Sequence, residues 1–277
     1  MKSSFRINDH DSKPGHLVII GGGYRPEYLM REFIRLAGGP ESQITIVPSA
    51  SHFPEQRARE VKAELEQLGC KNINYILAFQ GLADVPENLN KLEHTRGIFF
   101  TGGDQNKLTA LIQGTEVLKS IKNIYREGGV IAGTSAGAAI MSRIMIAGYD
   151  PDWDDSIDLA CNLNVIPRKV RLSEGFGFLN NIIIDQHFNT RKRTDRLKAA
   201  VIKNPGMMGI GIDESTAIIV HGEDAFRVIG ENNVTLFTLR EFGLIQRTNN
   251  NANHIGKGEI LTMAEGDKYL FSNFAVN

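Results

Sequence analysis

The chain has 277 residues, 42% of them hydrophobic, and a formal net charge of −1. This composition is sufficient for a full α/β core, and it argues against a general nucleic-acid binder, which carries a clear basic excess. Two cysteines, Cys70 and Cys161, cannot build a disulfide framework and are typical of a reducing compartment. No stretch approaches the roughly 20 apolar residues of a membrane span. We therefore expect a cytoplasmic protein that has no membrane or nucleic-acid partner.

The first sixteen residues contain no apolar run, so residues 1–16 are predicted to be a polar, disordered terminus rather than a secretory signal. Short runs rich in Ile, Val and Phe then recur without polar alternation, at 17–20, 44–48, 73–79, 97–101, 129–134 and 181–188. Such runs are typical of strands that are buried on both faces of a helix-covered parallel sheet. Amphipathic helical spacing follows at 55–69, 106–127 and 194–203. We predict a doubly wound, mostly parallel α/β sheet within a single domain at 17–277.

The last third of the chain changes character. From about residue 209 onward, apolar and polar residues alternate between Gly-Glu-Asp and Glu-Gly-Asp turns, and long helical patterns are missing. This pattern predicts C-terminal antiparallel hairpins that extend one edge of the sheet. The Asn-rich residues 246–256 are predicted to form an exposed loop.

The strongest chemical signal is Gly133-Thr134-Ser135-Ala136-Gly137, which stands between a predicted strand and a predicted helix. In this context, G-x-S-x-G predicts a sharp turn that lifts the Ser135 hydroxyl out of the sheet and directs the Ala136 amide toward an oxyanion. The alternative is a glycine-rich turn whose serine only caps a helix. The flanking strand and helix favour a nucleophile.

A serine nucleophile needs a base, and His187 is the histidine that ends a buried strand. Because strand ends form the crevice of an open α/β sheet, we expect Ser135 and His187 at one edge. The acid that orients the histidine stays open. Spacing places Glu214 slightly ahead of Asp185, and the further candidates are Asp213 and Asp150.

Two glycine elements and one basic run complete the candidates. The amides of Gly102 and Gly103 are predicted to be oxyanion donors, although the same residues would suit an ordinary strand–helix turn that Asp104 caps. The glycines at 21–23 do not make a dinucleotide fingerprint, because Pro26 stands where the third glycine is needed. No cofactor and no metal site are predicted. The basic run at 191–198 is either a solvated helix face or a lining for a carboxylate-rich substrate.

Four segments together resemble the cyanophycinases, which share a serine peptidase family with α-aspartyl dipeptidase. The segments are FFTGGDQ (99–105), GTSAGA (133–138), DQHFNTRKRTDRL (185–197) and GIGIDEST (209–216). The resemblance implies a flavodoxin-like fold, similar to class I glutamine amidotransferases, and a catalytic triad of Ser135, His187 and Glu214. It also implies a homodimer and a substrate pocket lined by six residues: Gln105, Asp185, Gln186, Arg191, Arg193 and Arg196.

The implied activity is serine-type exopeptidase cleavage of cyanophycin, a polyaspartate with arginine amide-linked to each β-carboxyl group, into β-aspartyl-arginine dipeptides. The alternatives are a peptidase for small acidic peptides and a catalytically silent binding protein on the same scaffold. One departure is the stretch 149–172, which is longer and more acidic than the resemblance leads us to expect. Because of this insert, the resemblance does not settle whether the site accepts the full polymer or only a close analogue.

Overall fold

The computed structural model of the chain describes residues 14–149, 170–222, 225–239, 245–246 and 260–271. Most of the acidic insert at 149–172, nearly all of the predicted loop at 246–256 and most of the N-terminal sixteen residues lie outside the described residues. The sequence predictions for these segments therefore stay predictions.

Helices and strands are interspersed as far as α7, and the described elements beyond it are strands. The helices of the described part are α1 (Glu27–Leu36), α2 (Pro54–Gln67), α3 (Pro86–Asn90), α4 (Gln105–Ile112), α5 (Glu116–Arg126), α6 (Ala136–Ala139) and α7 (Thr194–Lys203). The strands are β1 (His16–Ile20), β2 (Gln43–Val47), β3 (Ile73–Tyr75), β4 (Thr95–Phe100), β5 (Val130–Thr134), β6 (Ile144–Tyr149), β7 (Val170–Glu174), β8 (Ile182–Gln186), β9 (Met208–Ile212), β10 (Thr216–His221), β11 (Ala225–Gly230), β12 (Val234–Thr238), β13 (Ile245–Gln246), β14 (Ile260–Met263) and β15 (Lys268–Leu270). None of the described helices combines the length and apolar content that crossing a membrane requires.

A nine-stranded sheet forms the centre of the fold, in the order β13-β15-β11-β10-β1-β5-β4-β2-β3. From β1 to β3 the neighbours are parallel, and from β1 through β10 to β13 they are antiparallel. The helical connections permit the parallel half, since parallel neighbours need a crossover. The predicted α/β class, a mostly parallel sheet with antiparallel C-terminal strands, is confirmed.

A second sheet corrects one expectation. Strand β8, which precedes His187, does not join the large sheet; it pairs with β9 in a four-stranded sheet of order β14-β12-β9-β8. Strands β12 and β14 also belong to this second sheet, so only part of the C-terminal third extends the large one. The prediction of one sheet was wrong because an apolar run reports burial and leaves the choice of partner strand to tertiary contacts.

The large sheet is covered on both faces. Alternate residues of β1 point into two different cores, as the pleat requires. Val18 and Ile20 pack with apolar residues of α1 and α2. Leu17 and Ile19 belong to a larger core with α4, α5 and the inner face of the second sheet. The outer face of the second sheet packs on α7 and on the β6–β7 hairpin.

Because the second sheet carries His187, its packing on the large sheet should contribute strongly to stability. Ile210 of β9 is fully buried in the shared core. We expect Ile210→Ala to lower the free energy of unfolding by about 2–5 kcal/mol, measured by urea denaturation. The matched control is Ile202→Ala on α7, where the side chain is 39% exposed and the loss should stay below about 1 kcal/mol. Equal losses would contradict the shared core.

Candidate active site

Ser135 lies in a sharp turn between β5 and α6, with φ 55° and ψ −111°. The flanking glycines make this turn possible. A Cβ on Gly133 would lie 2.1 Å from the carbonyl oxygen of Gly137, and one on Gly137 would lie 2.5 Å from that of Phe100. The Ser135 amide donates to the carbonyl of Ile20 (3.1 Å). These contacts hold a positive-φ serine at the carboxyl end of β5, as the motif predicts.

His187 reaches Ser135 from the second sheet. It follows β8 with φ 48°, and its Nε2 lies 2.9 Å from the Ser135 Oγ. The His187 amide donates to the carbonyl of Gly21 (2.7 Å), which ties the end of β8 to the end of β1. The structure therefore brings the predicted nucleophile and the predicted base into hydrogen-bond contact.

Glu214 contacts the ring nitrogen of His187 that faces away from Ser135. It lies in the turn where the chain leaves β9 for β10, and its Oε1 is 2.5 Å from the His187 Nδ1. Two other candidate acids have different partners. Asp185 is buried and paired with Arg196, and Asp213 accepts the backbone amides of Asn189 and Asn233. The fourth candidate acid, Asp150, lies outside the described residues.

The charge state of His187 suits a base. Burial lowers the pKa of the imidazole below its ordinary value of 6.5, the hydrogen bond that His187 donates to Glu214 opposes that change, and the positive charge of Arg191 adds to the lowering. A neutral imidazole that donates from Nδ1 to Glu214 leaves Nε2 free to accept the Ser135 proton. The arrangement can therefore activate a hydroxyl near neutral pH.

The glycine turn that follows β4 lies beside Ser135. Gly102 approaches so closely that a Cβ there would lie 3.4 Å from the Ser135 Cβ. Gly103 has φ 144°, and a Cβ on it would meet the carbonyl oxygen of Ala50 at 2.1 Å. Within the described residues, the amides of Gly102, Gly103 and Ala136 donate to no protein acceptor. Free amides beside a hydroxyl are the donors that a developing oxyanion needs.

The polar residues around β8 are mostly engaged within the protein. Asp185 accepts from Arg196, with 2.8 Å from Nε to Oδ2, and Arg193 donates to the carbonyl and the side-chain oxygen of Gln186 at 2.6 Å each. All four are at least nine-tenths buried. Burial, and then the nearby charge of Arg196, lower the pKa of Arg193 to about 10.

Two further candidates lie closer to solvent. Arg191 is exposed, two residues before the buried Arg193, and its charge acts on His187. Gln105 is half-buried and donates to the carbonyl of Ile146 on β6 (2.9 Å). The basic run is therefore neither a uniformly solvated face nor a uniform pocket lining.

The glycines at 21–23 have a structural role that the sequence reasoning missed. A Cβ on Gly22 would lie 2.4 Å from the His187 Cε1, and one on Gly23 would lie 2.8 Å from the Glu214 Cβ. The Gly22 carbonyl also accepts the amide of Ser215 (3.0 Å). The signal in the sequence is three successive glycines directly after a strand, a pattern that allows another segment to approach closely.

Comparisons with known proteins show which proteins this chain is similar to. The profile described as peptidase family S51 matches residues 17–228. The cyanophycinase of Synechococcus elongatus is 31% identical over 239 residues, which covers 84% of this chain and 71% of that protein. The cyanophycinase of Trichormus variabilis is 32% identical over 252 residues, covering 89% and 80%.

Solved structures show the same fold. A peptidase from an acI-B1 Actinobacterium matches with a TM-score of 0.62 at 21% identity, covering 91% of this chain and 98% of that one. A putative peptidase E protein from Listeria monocytogenes EGD-e matches with a TM-score of 0.56 at 21% identity, covering 79% and 100%.

The lowered pKa of His187 predicts a titration below 6.5. NMR of the imidazole should show this midpoint, and Glu214→Gln should move it lower still because the opposing carboxylate is lost. In the unfolded chain, the His187 imidazole is protonated at a higher pH than in the folded protein. The contribution of His187 to the free energy of unfolding therefore declines as the pH falls from 6.5 toward the midpoint of the folded protein. A midpoint above 6.5 in the wild type would contradict the neutral base.

The space around Gly22 gives a second prediction. Gly22→Ala forces the His187 ring to move, so the rate at which a serine-directed phosphonate labels the protein should fall about tenfold or more. Gly39→Ala is the matched control: Gly39 has φ 96° against 108° for Gly22, but nothing lies within 4 Å of its Cβ position. Both variants carry a similar backbone strain, and only the first displaces the imidazole. Equal labelling rates would contradict this role of Gly22.

Proposed function

Because the chain belongs to peptidase family S51 and is a serine-type peptidase, we propose that it is a cyanophycinase that uses Ser135, His187 and Glu214 as its catalytic triad. The observation that carries the proposal is the hydrogen-bonded series from the Ser135 hydroxyl through His187 to Glu214. The curated relatives, at 31% and 32% identity over most of the chain, supply the substrate class.

The proposed reaction begins with Ser135. His187 Nε2 takes the hydroxyl proton while Oγ attacks the backbone carbonyl carbon before the last aspartyl-arginine unit. Glu214 accepts the hydrogen bond from the Nδ1–H group and stabilises the imidazolium. The amides of Ala136, Gly102 and Gly103 receive the negative charge that develops on the carbonyl oxygen.

The second half regenerates the enzyme. His187 returns its proton to the leaving amine, so that β-aspartyl-arginine departs and the shortened polymer remains as an ester on Ser135. A water molecule then loses a proton to His187 and attacks the ester carbonyl. Cleavage frees the polymer as a carboxylic acid and restores the Ser135 hydroxyl.

Substrate recognition is proposed for the polar residues beside the triad. An exopeptidase that acts at a carboxyl terminus must bind a free carboxylate, and the exposed guanidinium of Arg191 suits that group. Gln105 stands next to the oxyanion amides. The buried residues Asp185, Gln186, Arg193 and Arg196 can offer a substrate only a small part of their surface, so we propose that they form the pocket wall.

Removal of the nucleophile tests the mechanism. Ser135→Ala should lower kcat by about 10³–10⁶ while the fold is kept, because the base and the oxyanion amides remain without an attacking atom. The assay is incubation with purified cyanophycin and mass analysis of released β-aspartyl-arginine. Ser173→Ala, which changes an exposed serine on β7, is the control with unchanged turnover.

The same assay separates the alternatives. Cleavage of small aspartyl peptides with an intact polymer would favour a dipeptidase-like activity. Failure of both substrates, together with no covalent labelling of Ser135 by a phosphonate, would favour a silent binding protein. Near-normal turnover by Ser135→Ala would remove the proposed mechanism.

A further inference from the structure

Large aromatic side chains stand exposed after the first strands of the large sheet. Tyr24, Phe53 and Phe79 follow β1, β2 and β3, and they are 72%, 72% and 50% exposed. Because parallel strands end at one edge, all three lie on the edge that carries Ser135. We call these three residues the aromatic rim.

One end of the aromatic rim adjoins Glu214. The Tyr24 carbonyl accepts the hydroxyl of Ser215 (3.0 Å), the residue after Glu214. The preceding Gly23 lies against the Glu214 side chain, where a Cβ would be 2.8 Å away. Tyr24 is therefore held beside the acid of the proposed triad.

The other two residues of the aromatic rim, Phe53 and Phe79, lie on segments next to the turn that contains Gly102 and Gly103. Asp104 lies two residues beyond Gly102 and donates its amide to the carbonyl of Ala50 (2.9 Å). Phe53 lies three residues after Ala50 in the chain. The segment of Phe79 is tied to the loop after β2, which also carries Phe53, because the amide of Ala78 donates to the Ser49 hydroxyl (3.2 Å). The strand order therefore places Tyr24 on one side of Ser135 and places Phe53 and Phe79 on the other side, beyond the turn of Gly102 and Gly103.

Asp104 adds negative charge to this edge. Its side chain is exposed, one oxygen accepts the amide of Asn106 (2.8 Å), and the described residues give it no ion pair. Aromatic faces with a nearby carboxylate are a favourable surface for guanidinium groups, which stack on rings and pair with carboxylates. Isolated exposed apolar residues are normal, but a series at one edge of a catalytic site indicates binding.

We propose that the aromatic rim and Asp104 bind arginine side chains of the substrate polymer beyond the unit that is cleaved at Ser135. The proposal rests on the proposed function for the chemistry of the substrate. The new element is that residues outside the triad and its pocket wall bind the long polymer.

Binding is measured apart from turnover, with cyanophycin and the Ser135→Ala protein in a sedimentation assay. Adding Tyr24→Ala and Phe53→Ala together should weaken the affinity about tenfold, since each exposed cation–π contact contributes modestly. Asp104→Asn should weaken it several-fold, and asparagine preserves the helix cap. Ile202→Ala, an exposed apolar residue on α7, is the control with unchanged affinity, and thermal melts verify that every variant folds.

Kinetics on the active enzyme supply the second arm. The Tyr24→Ala and Phe53→Ala double variant should raise KM for long polymer far more than KM for a fragment of two aspartyl-arginine units. Affinities equal to that of the control, or equal KM increases for both lengths, would overturn the proposal. A change in molecular mass by ultracentrifugation without a change in polymer affinity would assign the surface to a second copy of the chain and also overturn it.

The two proposals can fail separately. If the wild type cleaves the polymer and the aromatic-rim variants bind it like the control, only the binding surface is lost. If the polymer binds through the aromatic rim but is not cleaved, the proposed function is lost and the surface stands. If the Ser135→Ala protein does not bind the polymer at all, the aromatic rim is overturned.

Discussion

Successive carbonyl groups at the carboxyl end of β1 join the three segments that carry the site. The acceptor–donor pairs are Ile20 with Ser135, Gly21 with His187, and Gly22 with Ser215. Hydrogen bonds are short and directional, so this one backbone segment sets the relative positions of three parts of the site. They are the turn at Ser135 in the large sheet, the end of β8 in the second sheet, and the turn of Glu214 and Ser215 that connects the two sheets. Without this junction, the two sheets could pack through their shared core and still misplace the side chains.

The same junction accounts for unusual backbone conformations. Ser135, His187 and Ser215 all have φ between 48° and 55°, which L-residues rarely adopt. Such conformations persist when the surroundings over-determine them, and they concentrate at functional sites. Here each of the three donates its amide to the β1 end, so the bonds that align the side chains also hold the backbone. The glycines at 21–23 have no Cβ and permit this close approach.

Charge is divided between the interior and the surface of the site. The buried pair Asp185–Arg196 and the contact of Arg193 with Gln186 place fixed positive charge behind β8, where removing one partner would leave an uncompensated charge. Burial of His187 keeps its imidazole neutral, and Glu214 orients it. Arg191 and the aromatic rim, by contrast, are exposed. The interior therefore sets the reactivity, and the exposed groups are those that can recognise a substrate.

The sequence by itself determined those features that depend on neighbouring residues: the buried strands, the amphipathic helices and the elbow at Ser135, where glycine spacing encodes the turn. It also indicated His187, because a histidine that ends a buried strand is a local pattern, and the spacing left Glu214 and Asp185 both open as its partner. The resemblance to cyanophycinases implied Glu214, but only the tertiary structure shows that it contacts His187, that β8 belongs to a second sheet and that the glycines at 21–23 make room for the imidazole. These outcomes depend on contacts between residues far apart in the chain, and no local pattern of side chains specifies which distant segments will meet.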